Sequence, residues 1–174
     1  MSSRLHQITM GFEPVEDRML LRVSTTDKLE YQLYLTRRFV KVLWGALVKI
    51  LERHPEIKAD LMPQVKGAVL AMRHQEAVQG TDFSKSHVKT NQNLMSNTGP
   101  QLVTGAKVHS TKEGLTVIAF QTALGSDVNI TLNEQLLHAL CHMVISTAVK
   151  AEWDLNLTMG DGNVVVPEKR AQLH

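Results

Sequence analysis

The stretch MLLRVSTTDKLEYQLYLTRRFVKVLWGALVKIL, from Met19 to Leu51, returns in pattern 97 residues later. There it reads TVIAFQTALGSDVNITLNEQLLHALCHMVISTA, from Thr116 to Ala148, and no gap is needed to align the two. Few residues are identical; Thr25/Thr122, Leu35/Leu132 and Leu43/Leu140 are nearly all of them. The agreement lies in residue class. Leu21 and Val23 align with Ile118 and Phe120, and Tyr31, Leu33 and Leu35 with Val128, Ile130 and Leu132. A period of two marks a strand with one buried side. Thr36 and Asn133 follow in register, both residue types that cap a helix by accepting from a first-turn amide. Phe39/Leu136, Val40/Leu137, Leu43/Leu140 and Leu47/Val144 then recur at spacings of three and four, as an apolar helical stripe requires. The pattern predicts two strands and a helix, twice. A duplicated unit explains it, and so does the common grammar of strand-to-helix passages.

The remaining chain is read around these two units. His6–Phe12 is a further strand before the first, with the connection EPVED at Glu13–Asp17 and a polar turn at Thr25–Lys28. Helix one runs from Arg37 to about Arg53, where His54-Pro55 closes it, since a residue before proline is pushed out of the helical region. A second helical pattern spans Pro55–Gln79, with an apolar side of Leu61, Val65, Val69 and Met72; Pro63 either starts its main run or kinks it, and Gly80 stops it. Residues 80–100 form a long polar loop without periodicity. Gln101–Ser110 is the strand before the second unit, and Trp153–Leu157 with Asn163–Val166 would form a closing hairpin about Gly160–Gly162.

The order βββα-α-βββα implies an α+β fold. Two antiparallel three-stranded meanders are each followed by a helix, and the helices pack on one face of the sheet or sheets. Parallel crossovers are not expected, because strands two and three are joined by a tight turn. The chain reads as one domain over residues 1–174, with pseudo-repeats at about 6–54 and 101–151 and a helical insert at 55–79.

Composition bounds the rest. A hydrophobic content of 43% with 21% charged residues is ordinary for a globular chain. The net charge of +2 and pI near 8.7 permit an anionic partner without demanding one. The single cysteine, Cys141, excludes an internal disulfide and points to a reduced, cytoplasmic setting. The start MSSRLHQITMGFEP does not resemble a signal peptide, and the most apolar run, Phe39–Leu51, carries Lys41 and Lys49 and is too short to span a bilayer.

Four groups of residues are candidates for function. Thr36, Arg37 and Arg38 open helix one, with Lys41 a turn along and Arg22 on the neighbouring strand. Arginines at a helix N-terminus oppose the dipole unless an anion sits against them, so the group suits a phosphate or carboxylate; the bland reading is solvated arginines, or a pair with an acid such as Glu30. Glu134, His138 and His142 share one side of helix three with Cys141 adjacent, a set zinc accepts. The absence of an HExxH spacing and of a second cysteine argues against a metal, and no cofactor is expected. Lys85, His87 and Lys89 form a polar loop strip with Phe83 at one end. Leu136, Ala139 and Met143, with Trp44 and Trp153, are candidates for an interface, because helix three is apolar almost all round and needs cover on more than one side. That cover is another subunit or helix two.

No Gly-rich phosphate loop, nucleophile elbow or paired carboxylates occur. The leading expectation is therefore a non-enzymatic assembly or interaction subunit that self-associates or joins a protein partner. Repeated meanders each ending in a helix resemble, in element order, the Whirly and Pur groups of single-strand binders. That resemblance implies a nucleic-acid-binding module as the alternative, against which stand the low net charge and the scarcity of aromatic stacking residues. A small metal- or anion-binding enzyme comes third.

Overall fold

Inward-pointing Leu, Ile and Val at every second residue build the sheet, and the capped apolar stripes that follow build the helices over it. The computed structural model describes residues 4–84, 93–94 and 99–160. Its elements are β1 (Leu5–Glu13), β2 (Arg18–Thr25), β3 (Leu29–Leu35), α1 (Arg37–Glu52), α2 (Pro63–Gln79), β4 (Asn93–Leu94), β5 (Gln101–Ser110), β6 (Thr116–Thr122), β7 (Asp127–Leu132) and α3 (Glu134–Lys150). The fold is α+β, with one mixed sheet in the order β1-β2-β3-β5-β6-β7 and three helices; the short β4 lies beside β3.

Each set of three strands is an antiparallel meander, but the two are joined in parallel. β3 pairs with β5 at Leu33–Gln101 and Tyr34–Leu102. This overturns the expectation of no parallel crossover. The tight turn constrains only β2 and β3, whereas the chain from β3 to β5 passes through α1 and α2, ample length for a crossover.

The registers of the two hairpins coincide. Met19–Leu35, Leu21–Leu33 and Val23–Tyr31 pair across β2 and β3. Moved by 97 residues these are Thr116–Leu132, Ile118–Ile130 and Phe120–Val128, the pairs observed across β6 and β7. The preceding strands match with a shift of 98, because six residues separate the paired Phe12 and Met19 and five separate the equivalent pair, Ser110 and Thr116. Both carry an irregularity near the start, at Leu5/Gln7 and at Val103/Gly105. The caps match as well. Thr36 Oγ1 accepts from the Phe39 amide at 3.2 Å and Asn133 Oδ1 from the Leu136 amide at 2.8 Å, each worth about 1 kcal/mol.

The helices are exchanged between the halves. α1, which follows the first meander, packs over β5 of the second, and α3, which follows the second, packs over β1 of the first. One core joins Met19, Leu21, Val23, Leu33 and Leu35 to Ile118, Phe120, Ile130 and Leu132 under Val40, Leu43, Leu47, Leu137, Leu140 and Val144.

α2 lies on α3 with a different face from the one predicted. Gly67, Leu70 and Ala71 are buried, whereas Val65 and Met72 are 43% and 56% exposed. Gly160 approaches from the other side at φ +79°, and a Cβ there would collide with the Gly67 carbonyl oxygen. Pro63 starts α2 and does not kink it. Trp153–Leu157 forms no strand, and Asn163–Val166 lies outside the described residues. Side chains fix the segment instead. Trp153 Nε1 donates to Asp17 Oδ1 at 2.7 Å, and its ring meets Phe12 edge-on at 6.2 Å.

Candidate functional site

Where α2 crosses the start of α3, ionisable side chains from three segments converge. Arg73 of α2 donates from Nε to Glu134 Oε1 at 3.2 Å, and its two terminal nitrogens reach Glu134 and Glu56. His54, just past α1, accepts the Glu56 amide at Nδ1, 3.2 Å away, and its Nε2 lies 3.3 Å from Glu134 Oε2 and 3.0 Å from a terminal nitrogen of Arg73. Glu134 thus collects Arg73 and His54 at once. Burial alone would raise its carboxyl, but the Arg73 hydrogen bond and charge outweigh it and hold Glu134 below the usual range. Glu134 and Glu56, acting against burial, raise Arg73.

One turn further along, His74 of α2 meets His138 of α3, Nδ1 to Nδ1 at 3.0 Å, with ring centroids 5.2 Å apart. Only one proton fits between those nitrogens. If His74 supplies it, His138 Nε2 carries a proton toward Glu134 Oε1, 3.8 Å away; the reverse arrangement would point a lone pair at a carboxylate. Electrostatics selects the first. Even so, 3.8 Å is too long for a hydrogen bond, and His138, 1% exposed, keeps Nε2 buried without a partner. His142 continues the row, 6.3 Å from His74 by centroid, with Phe83 against its outer side at 4.8 Å. Burial lowers all three imidazoles. In His74 the neighbouring His138 and His142 push further, down to about 4; in His138 the pull of Glu134 only partly offsets burial.

Two grooves flank the helices at equivalent positions. The larger, about 680 Å³, runs between β1 and α3 and is lined by Ile8, Met10, Leu136, Ala139, Met143 and Phe83, among others. Lys150, His6 and His142 face it, as does Asp82, and Arg22 borders it from the far face of the sheet, where it lies opposite Gln32 of β3. The second, about 480 Å³, runs between β5 and α1, lined by Phe39, Val42, Ala46, Gly105, Ala106 and Val108, with Arg38 and Thr36 at one end. Phe39, Val42 and Ala46 become Leu136, Ala139 and Met143 under the 97-residue shift. Gly105, Ala106 and Val108 correspond to Gln7, Ile8 and Met10 under the shift of 98. Each groove therefore lies between a helix and the first strand of the other half.

The predicted site residues fall in several places. Thr36 is occupied as a cap, and Arg37 pairs with Asp17 at 3.2 Å while lying over the Trp153 ring. Arg38 and Lys41 are exposed, and Arg22 borders the β1–α3 groove, so the cations do not share one anion site. Lys85, His87 and Lys89 lie outside the described residues. Leu136, Ala139 and Met143 line one groove, whereas Trp44 and Trp153 are buried within the chain. The second flank of α3 is covered by α2. Cys141 is sealed in the core, where burial pushes its thiol up to about 12 and keeps it protonated. Among the described residues no three His, Cys, Asp or Glu side chains converge as metal ligands would, and no helix is long and apolar enough to cross a membrane.

Glu134, His138 and His142 were legible as a row; Arg73, His74, His54 and Glu56 were not. The signal that would have found them is the small-residue face of α2, since His74 continues Gly67, Leu70 and Ala71 at helical spacing. Comparison of the chain with protein-family models, curated proteins and solved structures finds no match.

Proposed function

We propose that this chain is a non-enzymatic interaction protein built from two copies of one βββα unit, and that the helix–strand grooves receive extended segments of a protein partner. One observation carries the proposal. The same groove occurs twice, at positions related by the shift that aligns the hairpin registers. The β1–α3 groove is the principal site, since it is larger and holds Leu136 and Phe83, which are 38% and 40% exposed. Its chemistry defines the occupant. Apolar surface from Leu136, Met143 and Phe83 lies beside Lys150, with Arg22 at the rim, which suits a segment that alternates apolar side chains with carboxylates.

Random peptides displayed on phage and selected against the full chain test this. The expected consensus pairs apolar with acidic residues. A selected peptide is expected to bind at least tenfold more weakly to Leu136→Asp and to Lys150→Glu, about 1.4 kcal/mol each, while both variants melt as the parent does. Failure to enrich such peptides, or equal binding by the variants, contradicts the proposal. Salt-sensitive binding of single-stranded oligonucleotides in their place would favour a nucleic-acid module.

A further inference from the structure

The histidine row and the groove share a wall. His142 lines the β1–α3 groove on one side and stands against Phe83, another groove residue, while its ring continues the His74–His138 pair buried between α2 and α3. We propose that His74, His138 and His142 form an acid-operated latch: as neutral rings they hold α2 and the Phe83 segment on α3, and protonation releases both, removing one wall of the groove. Its regulatory meaning rests on the groove being a binding site; the latch itself does not.

Two imidazoles 3.0 Å apart share one proton; a second proton between the facing nitrogens would oppose two N–H donors, and protonating both rings would set two cations against each other in a closed interface. The groups facing the pair give little relief. From the end of α1 comes His54, from the turn after it Glu56, and from α2 itself Arg73 and Glu76. From α3 come Glu134 and His142, and from the segment after α2, Asp82 and Phe83. Glu134 is the acid nearest His138, and it is already engaged by Arg73 and His54. His138 Nε2, buried without a partner, has no acceptor within hydrogen-bond reach to take up an added charge.

The sign follows from linkage. Imidazoles lowered in the closed state take up protons more readily once opened, near the ordinary 6.5, so the closed state loses stability as pH falls below about 6.5. At pH 5 each histidine held neutral when closed favours opening by up to about 30-fold. Glu134, held low by Arg73, stays charged there and does not confuse the reading.

Amide hydrogen exchange of the full chain at pH 7.5 and 5.0, corrected for intrinsic rates, tests the latch without any partner. Protection of α2 is expected to fall at least tenfold relative to β6 in the parent, and less than threefold in His74→Gln/His138→Gln. Should that double variant not fold at pH 7.5, His74→Gln alone carries the comparison. Loss of α2 and β6 protection together, no loss in the parent, or an equal loss in the variant overturns the proposal. A selected groove peptide adds a second arm. Its affinity is expected to fall in parallel with α2 protection, and a latch that opens without changing that affinity leaves the latch standing and removes the groove as its target.

Discussion

Replacing Phe120 by alanine is expected to cost about 3–5 kcal/mol of unfolding free energy, read from urea titration at pH 7.5. Phe120 is fully buried at the centre of β6, and its ring meets Phe39 of α1 at 6.4 Å. The contact joins a strand of the second half to the helix of the first, so its loss leaves a cavity on the seam that both halves share. Neither half closes its core alone, because each is covered by the other's helix. The variant is therefore expected to unfold in one transition with a lower midpoint. A midpoint unchanged from the parent, or two separate transitions, would contradict the exchanged-helix packing.

Glu134→Gln is expected to cost about 2 kcal/mol at pH 7.5, the scale of a part-buried hydrogen bond between charged groups whose partner is left behind. The substitution keeps the shape of the side chain and removes the charge that Arg73, His54 and His138 all face. Arg73 is mostly enclosed, its side chain 17% exposed, and would keep Glu56 as its carboxylate partner. Glu76→Gln, nearby on α2, is expected to change stability by less than about 0.5 kcal/mol. Equal effects from the two would mean that Glu134 acts only through general surface charge.

Much of the architecture was legible in the residues. Period-two alternation located the hairpins, and Thr36 and Asn133 marked the helix starts, because these features depend on neighbours in the chain. What escaped was set by contacts between distant segments. The parallel join of β3 to β5 leaves no local trace, since both strands alternate as any half-buried strand does. The face of α2 was misread because Val65 and Met72 are exposed while Gly67, Leu70 and Ala71 are the buried residues. Choosing the wrong face put His74 on the outside, and with it the pairing to His138. Arg37 was recognised as electrostatically awkward, but Asp17, which relieves it, belongs to the β1–β2 connection and comes close only in the folded chain. Leu136, Ala139 and Met143 were singled out because helix three is apolar almost all round, while the strand that completes the groove was not found, because it lies in the other half.

The central claim is that the groove between β1 and α3 is where a partner binds. Amide chemical shifts of the labelled full chain, titrated with a selected acidic–apolar peptide, test it most directly. The account predicts the largest shifts at Ile8, Met10, Leu136, Ala139 and Met143, with smaller ones at Phe39, Val42 and Ala46 in the equivalent groove. Shifts confined to Arg18, Leu20, Gln32 and Tyr34, on the opposite side of the sheet, would contradict it.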